Sequence, residues 1–219
     1  MNIFDIIGPV MIGPSSSHTA GAVRIANVAR TLLGEKVKSA CIKLHGSFAE
    51  TYKGHGTDKA IIGGLMGYLP DDPRIRKSIE LAELDGMTFS IETASLGDVH
   101  PNTALISAEG IAGKKASILG SSTGGGNIVI RQIDGLDVEF TGQYNSLIVE
   151  YADRPRMVAM ITSIIGDRNI NIANMKVYRS ARGGKAIMTI EIDQKVPGEL
   201  INMIRQQPDV FNVINIEVV

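Results

Sequence analysis

The stretch GPSSSHTAG, residues 13–21, sets Ser15, Ser16, Ser17, His18 and Thr19 between a Gly-Pro turn and a run with helical spacing. A helix start leaves its first four N–H groups unpaired and carries partial positive charge, so an anion placed there meets oriented donors. The hydroxyls of Ser15, Ser16, Ser17 and Thr19 add donors, and His18 can supply a proton or hold a carboxylate. A single capping residue, Ser17 or Thr19, accounts for only one hydroxyl. Four hydroxyls and a histidine exceed what capping needs, which points to a ligand or substrate.

Three further stretches carry polar groups of the same kind. In LHGSFAETYKGHGTD, His45 and His55 sit among Gly46, Gly54 and Gly56. Two short loops at the ends of neighbouring elements would bring these histidines together, and the glycines would let a small ligand approach the backbone; each histidine is otherwise an ordinary hydrogen-bonded one. Their spacing is not that of a zinc site. GDVHPNT reads as a polar turn in which Asp98 could orient His100, although turn-making alone explains its Asp, Pro and Asn. SSTGGGN is expected as a loop between strands, with Gly124, Gly125 and Asn127 either forming a backbone nest for a carboxylate or phosphate or making a tight structural connection. It is not a P-loop, and it precedes a strand rather than a helix.

Composition narrows the class. The 22 basic and 23 acidic residues leave a formal charge of -1, so no bulk field draws the chain to nucleic acid or an anionic membrane. The N-terminal MNIFDIIGPVMIGP lacks the basic start and cleavage site of a secretory signal, no apolar run approaches the roughly 20 residues that span a bilayer, and the cytoplasm is the expected location. The one cysteine, Cys41, rules out an internal disulfide and an iron-sulfur cluster held by this chain alone, which takes about four thiolates. It falls in a strand-like run, where an inert core position is expected.

Positioning these groups requires two differently textured segments, expected at 1–146 and 147–219. In the first, AGAVRIANVARTLLG reads as a helix stopped by Gly34, SACIKLHG as a strand, GTDKAIIGGLMGYLP and RKSIELAELDG as helices, and MTFSIETA and KKASILG as strands; NIVIRQIDG and LDVEFTG complete a hairpin-like end. The result is α+β or mixed α/β. The second segment reads βαββαβ: LIVEYADRP, a helix from PRMVAMITSIIGDR with Met157, Met160, Ile161, Ile164 and Ile165 on one face, INIANMKVYRS, KAIMTIEID, ELINMIRQQ and VFNVINIEVV. That order is the ferredoxin-like split unit. Asp153 at the helix start and Asn169 and Asn171 before the next strand are expected to lie close together and to offer a candidate amino-acid effector site.

The ordered motifs GPSSSHTAG, HGSFAETYKGHGTD, SLGDVHPNT and SSTGGGN resemble the beta chain of bacterial iron-sulfur L-serine dehydratase, and residues 148–219, with YADRPRMVAMI and NINIANM, resemble an ACT domain. The resemblance implies an allosteric-substrate-binding-like domain followed by an ACT domain, in a subunit of an L-serine ammonia-lyase that releases pyruvate and ammonia. It implies a [4Fe-4S] cluster held by a partner alpha subunit, whose open iron acts as a Lewis acid, with no metal in this chain and no turnover by the chain alone. His18, His55 and His45 are then the catalytic candidates, and Ser15, Ser16, Ser17, Thr19, Gly124, Gly125 and Asn127 the substrate-binding ones. A regulatory amino-acid-binding subunit that stays outside the active site is the alternative. The ACT edge strands favour a homodimer or a dimer of alpha-beta pairs. One departure stands out: ACT domains that bind amino acids usually carry glycine after the first-loop proline, and here Arg156 follows Pro155.

Overall fold

The computed structural model describes residues 10–217. The start of the stretch read for a leader, residues 1–9, lies outside the described residues, as do the last two of the terminal strand. Contacts divide the chain into two compact units that meet between Gly135 and Leu136.

In the first unit, the candidate motif enters a helix one turn earlier than its glycines suggest. Ser15 is the capping residue, Ser16–Gly21 form a π-helical turn, and α1 (Ala22–Leu33) continues directly from it. Gly34 ends α1 in the left-handed conformation at φ 71°, as the sequence predicts. There follow β1 (Val37–His45), α2 (Gly46–His55), α3 (Thr57–Leu65), a 3-10 turn (Pro73–Lys77), α4 (Ser78–Leu84), β2 (Thr88–Thr93), β3 (Thr103–Gly110), β4 (Lys115–Gly124) and β5 (Asn127–Ile133). The strands run in the order β2-β1-β3-β4-β5, with β1 and β2 parallel and the other pairs antiparallel. Period-two alternation buries Ala40, Ile42 and Leu44 of β1 and Ala104, Ile106 and Ala108 of β3 on one face, and α1 packs across β3 and β4. The opposite face presents Ser39, Cys41, Ser107 and Ser117, so Cys41 is a half-buried thiol and not the core position expected of it.

The second unit opens with β6 (Leu136–Phe140) and then folds as β7 (Asn145–Ala152), α5 (Met157–Gly166), β8 (Ile172–Arg179), β9 (Lys185–Ile192), α6 (Gly198–Arg205) and β10 (Val210–Ile216). The four-stranded antiparallel sheet has the order β10-β7-β9-β8, the ferredoxin-like arrangement of βαββαβ. Ala186, Met188, Ile190 and Ile192 of β9 meet Met157, Ile161 and Ile165 of α5 and Leu200 and Ile204 of α6 in one core. Full burial of each Met, Ile or Leu side chain among them is worth about 1.5–3 kcal/mol. The other face of β9 buries Glu191, 5% exposed, whose carboxylate accepts from Thr141 N–H and Oγ1 and from Asn174 Nδ2.

Candidate functional site

The site grows from the turn before α1. Ser15, in extended backbone, places its Oγ 3.3 Å from both the His18 N–H, which it accepts, and His18 Nδ1. The other ring nitrogen, Nε2, lies 3.2 Å from Ser47 Oγ. A hydroxyl both donates and accepts, so each ring nitrogen has a partner in either tautomer.

Ser47 and His55 belong to α2, eight residues apart, and with Thr51 between them they fall on one helical face. That face turns to His18: the His18 and His55 ring centroids are 4.7 Å apart at 79°, and the Phe48 ring lies 5.2 Å from His18. His18 is 8% exposed, whereas His55 is open to solvent. Burial, helped by the nearby His55 charge and opposed by the Ser47 backbone, holds the His18 imidazole below its ordinary pKa. It is therefore neutral near pH 7 and able to accept a proton.

Contrary to the expectation from the sequence, His45 and His55 do not come together. The segment between them is a ten-residue helix and not a pair of loops. Such a helix is about 15 Å long, and the two histidines flank it from opposite ends. His45 Nδ1 accepts from the Leu96 N–H at 3.2 Å, so the structure joins His55 to His18 and leaves His45 apart. His100 lies in the exposed turn, where its Nδ1 accepts from the Asn102 N–H at 3.1 Å, with no bond to Asp98.

Of the hydroxyls in the first motif, Ser15 is the cap and not Ser17 or Thr19. Ser16 and Ser17 are half-buried, with no hydroxyl bond among the described residues. Thr19 is 1% exposed and its Oγ1 is buried without a partner; a Cβ at Gly13 would come within 2.1 Å of it. The glycine-rich stretch is not a loop: β4 runs to Gly124, and Gly125 and Gly126, at φ 60° and 83°, make a two-residue hairpin turn into Asn127. Arg24 Nη1 of α1 donates to Gly126 O at 2.7 Å across 102 residues of sequence. Burial lowers the Arg24 pKa, which leaves a guanidinium still charged. The hairpin lies against the π-helical turn, where Ser122 fills the space that a side chain at Gly21 would need: a Cβ there would sit 2.1 Å from Ser122 Oγ. Ser122 Oγ, Thr57 Oγ1 and Asn102 Oδ1 are also buried and unpartnered. Native interiors seldom leave such groups unpaired away from a functional site.

In the second unit, Asp153 and the two asparagines do not converge. Asp153 follows the end of β7, where its carboxylate accepts from the Gly183 N–H and meets Arg179. Asn169 and Asn171 lie beyond the far end of α5, and Asn171 Nδ2 donates to Asp193 Oδ2 at 2.7 Å. The register pairs Asn145 and Ile172 with Ile192 at that end, and Ala152 with Lys185 at the other. Strands of eight residues separate the two ends by roughly 25 Å. Helix α5 carries the chain away from Asp153 before β8 returns, so the two ends of the helix lie at opposite ends of the sheet. At the start of α5, Arg156 adopts φ 77°, the conformation that glycine takes at little cost.

The profile described as "Serine dehydratase beta chain" matches residues 2–97, and that of the ACT domain matches residues 145–209. The chain is 41% identical over 215 residues to the probable L-serine dehydratase beta chain of Bacillus subtilis, covering 98% of this chain and 97% of that one. The chain belongs to the L-serine dehydratase beta-chain family. A second member, the L-serine dehydratase beta chain of Peptoniphilus asaccharolyticus, is 39% identical, with 90% and 89% of the two chains covered. The ACT domain of the GTP pyrophosphokinase of Chlorobium tepidum superposes at a TM-score of 0.29 and 22% identity, over 32% of this chain and 94% of that one. This family member therefore joins a beta-chain unit to an ACT unit, and the His18 group lies within the span of the first profile. No helix among the described residues is long and apolar enough to cross a membrane.

Proposed function

We propose that this chain is the beta subunit of an L-serine dehydratase that converts L-serine to pyruvate and ammonia together with a cluster-bearing alpha subunit in the cytoplasm. The observation that carries the reading is His18, with a serine hydroxyl at each ring nitrogen and set 4.7 Å from a second imidazole. Loss of the α-proton and β-hydroxyl of serine requires a proton acceptor and a donor held in place. His18 and His55 supply that pair. Ser16, Ser17, Thr19 and the Gly124–Asn127 turn surround the same helix start and offer hydroxyl and backbone donors to the substrate carboxylate. His45 Nδ1 is engaged with the Leu96 N–H, and in this reading proton transfer falls to His18 and His55.

The donor set of this chain does not fit a cubane: it has one cysteine, and no three His, Cys, Asp or Glu are grouped for a metal among the described residues. In this reading the cluster belongs to the alpha subunit, and the beta subunit binds, orients and exchanges protons. Functionally, residues 1–146 complete the active site and residues 147–219 form the ACT unit, which serves assembly as a homodimer or a dimer of alpha-beta pairs. The test is anaerobic reconstitution. The alpha chain with this chain should deaminate L-serine, this chain alone should not, and an alpha chain fully active by itself would overturn the proposal.

A further inference from the structure

Arg24 stands half-buried in the first turn of α1, and its Nη1 donates to Gly126 O of the β4–β5 turn at 2.7 Å. Its Nε is buried without a partner. No carboxylate pairs with the guanidinium among the described residues, and burial is what lowers its pKa, with no acid offsetting it. Taking a cation out of water without a counter-charge is costly. Bracing a turn does not require that charge: on the same helix, Asn27 Nδ2 donates to Tyr68 O at 3.0 Å from a neutral amide. Arg30 differs as well, since it lies in the last turn of α1 and donates to Leu65 O, at the end of α3, where helix C-termini supply partial negative charge. Arg24 has neither arrangement. The turn it holds has room beside it, because a Cβ at Gly124 would meet nothing within 4 Å.

We infer that Arg24 supplies the fixed positive charge that holds the substrate carboxylate at the β4–β5 turn, and so selects an amino acid over its amide. The inference rests on the proposed reaction for the identity of the substrate. Hydroxyls and backbone N–H groups bind a neutral carbonyl as well as a carboxylate, whereas a guanidinium that has no acidic partner favours the charged group. Arg24 then serves binding, and proton transfer stays with His18 and His55. Its loss should weaken the ground state and the transition state alike, which raises KM and spares kcat.

The experiment uses the reconstituted alpha-beta complex under anaerobic conditions, with glycine and glycinamide as probes because neither has a β-hydroxyl to lose. Calorimetry should show saturable binding of glycine, weaker binding of glycinamide, and a loss of about tenfold for glycine alone in Arg24→Gln. Arg24→Lys, which keeps the charge, should lose less than about threefold. Arg30→Gln, which removes a bond of the same kind from the same helix, should leave glycine binding unchanged. With L-serine, Arg24→Gln should raise KM about tenfold and keep kcat within about threefold of wild type. A brace without a charge role gives a different pattern: Arg24→Gln and Arg24→Lys lower the thermal midpoint alike and weaken glycine and glycinamide equally. That pattern, or glycine binding indifferent to Arg24→Gln, would overturn the inference. The preference of the wild type for glycine over glycinamide needs no variant to fold, and its absence also overturns the inference. Turnover separates this result from the proposed function. A complex that prefers glycine through Arg24 without deaminating L-serine removes the reaction and keeps the charge partner, and turnover with a KM that Arg24→Gln leaves unchanged does the reverse.

Discussion

A ring nitrogen that meets a hydroxyl can give or take a proton without leaving its partner stranded, and His18 has such a partner at both nitrogens. The two serines differ in what else they do. Ser15 also caps the helix start, so Ser15→Ala should cost about 1 kcal/mol of stability as well as activity. Among the described residues the Ser47 side chain makes only the Nε2 contact, so Ser47→Ala should lower kcat/KM for L-serine in the reconstituted complex by about fivefold, the worth of one hydrogen bond near 1 kcal/mol. The thermal midpoint of Ser47→Ala should stay close to wild type; a loss of stability without a loss of rate would assign Ser47 to the fold. His18→Ala should lower kcat/KM about tenfold or more, the range for a positioned acid or base. The pH dependence follows from the direction of the His18 shift. Burial first, and the His55 charge second, hold the folded-state pKa below the unfolded value, so the folded chain prefers the neutral ring. The stabilising contribution is present above the ordinary histidine range and is lost as pH falls through the folded pKa. Urea midpoints measured from pH 8 down to pH 5 should fall for the wild type more steeply than for His18→Asn, and parallel curves would remove His18 as the source.

At the scale of elements, the regular parts were readable and the exceptions have physical causes. The βαββαβ unit was legible because Ala186, Met188, Ile190 and Ile192 alternate and Met157, Ile161 and Ile165 recur at helical spacing, and each pattern buries one face. Helix α2 was not, because GSFAETYKGH buries only Phe48 fully and carries glycines at positions 46 and 54 that read as loop. Its usable signal was the spacing of Ser47, Thr51 and His55, one every four residues, which places a hydroxyl and an imidazole on one face. At the Gly125–Gly126 hairpin three consecutive glycines mask where the strands end, so the sequence alone suggests a loop. Arg156 shows the converse: the sequence departure from glycine was visible, but the reason, a left-handed backbone, appears only in three dimensions. Arg156→Gly should relieve about 1 kcal/mol of that conformational cost, raising the urea midpoint of the ACT transition; an unchanged or lowered midpoint would show that the arginine side chain compensates for its backbone.

For the whole molecule, charge and cysteine content limited the possible partners, while the assembly of the site did not follow from order in the chain. The Gly-Pro turn before α1, helix α2 and the β4–β5 hairpin come together although Arg24 and Gly126 are 102 positions apart, and nothing in a one-dimensional pattern specifies that His18 pairs with His55 and not with His45. Dimer formation belongs to this scale as well: light scattering at tens of micromolar should give twice the chain mass, and a strict monomer would assign the exposed edges of the ACT sheet to another partner. The uncovered face of the first sheet offers a way to follow assembly directly. Cys41, half-buried there, is the one thiol in 219 residues. A nitroxide or fluorophore attached through sulfur therefore reports from one address per chain, and every label-to-label distance recorded in solution is a distance between chains.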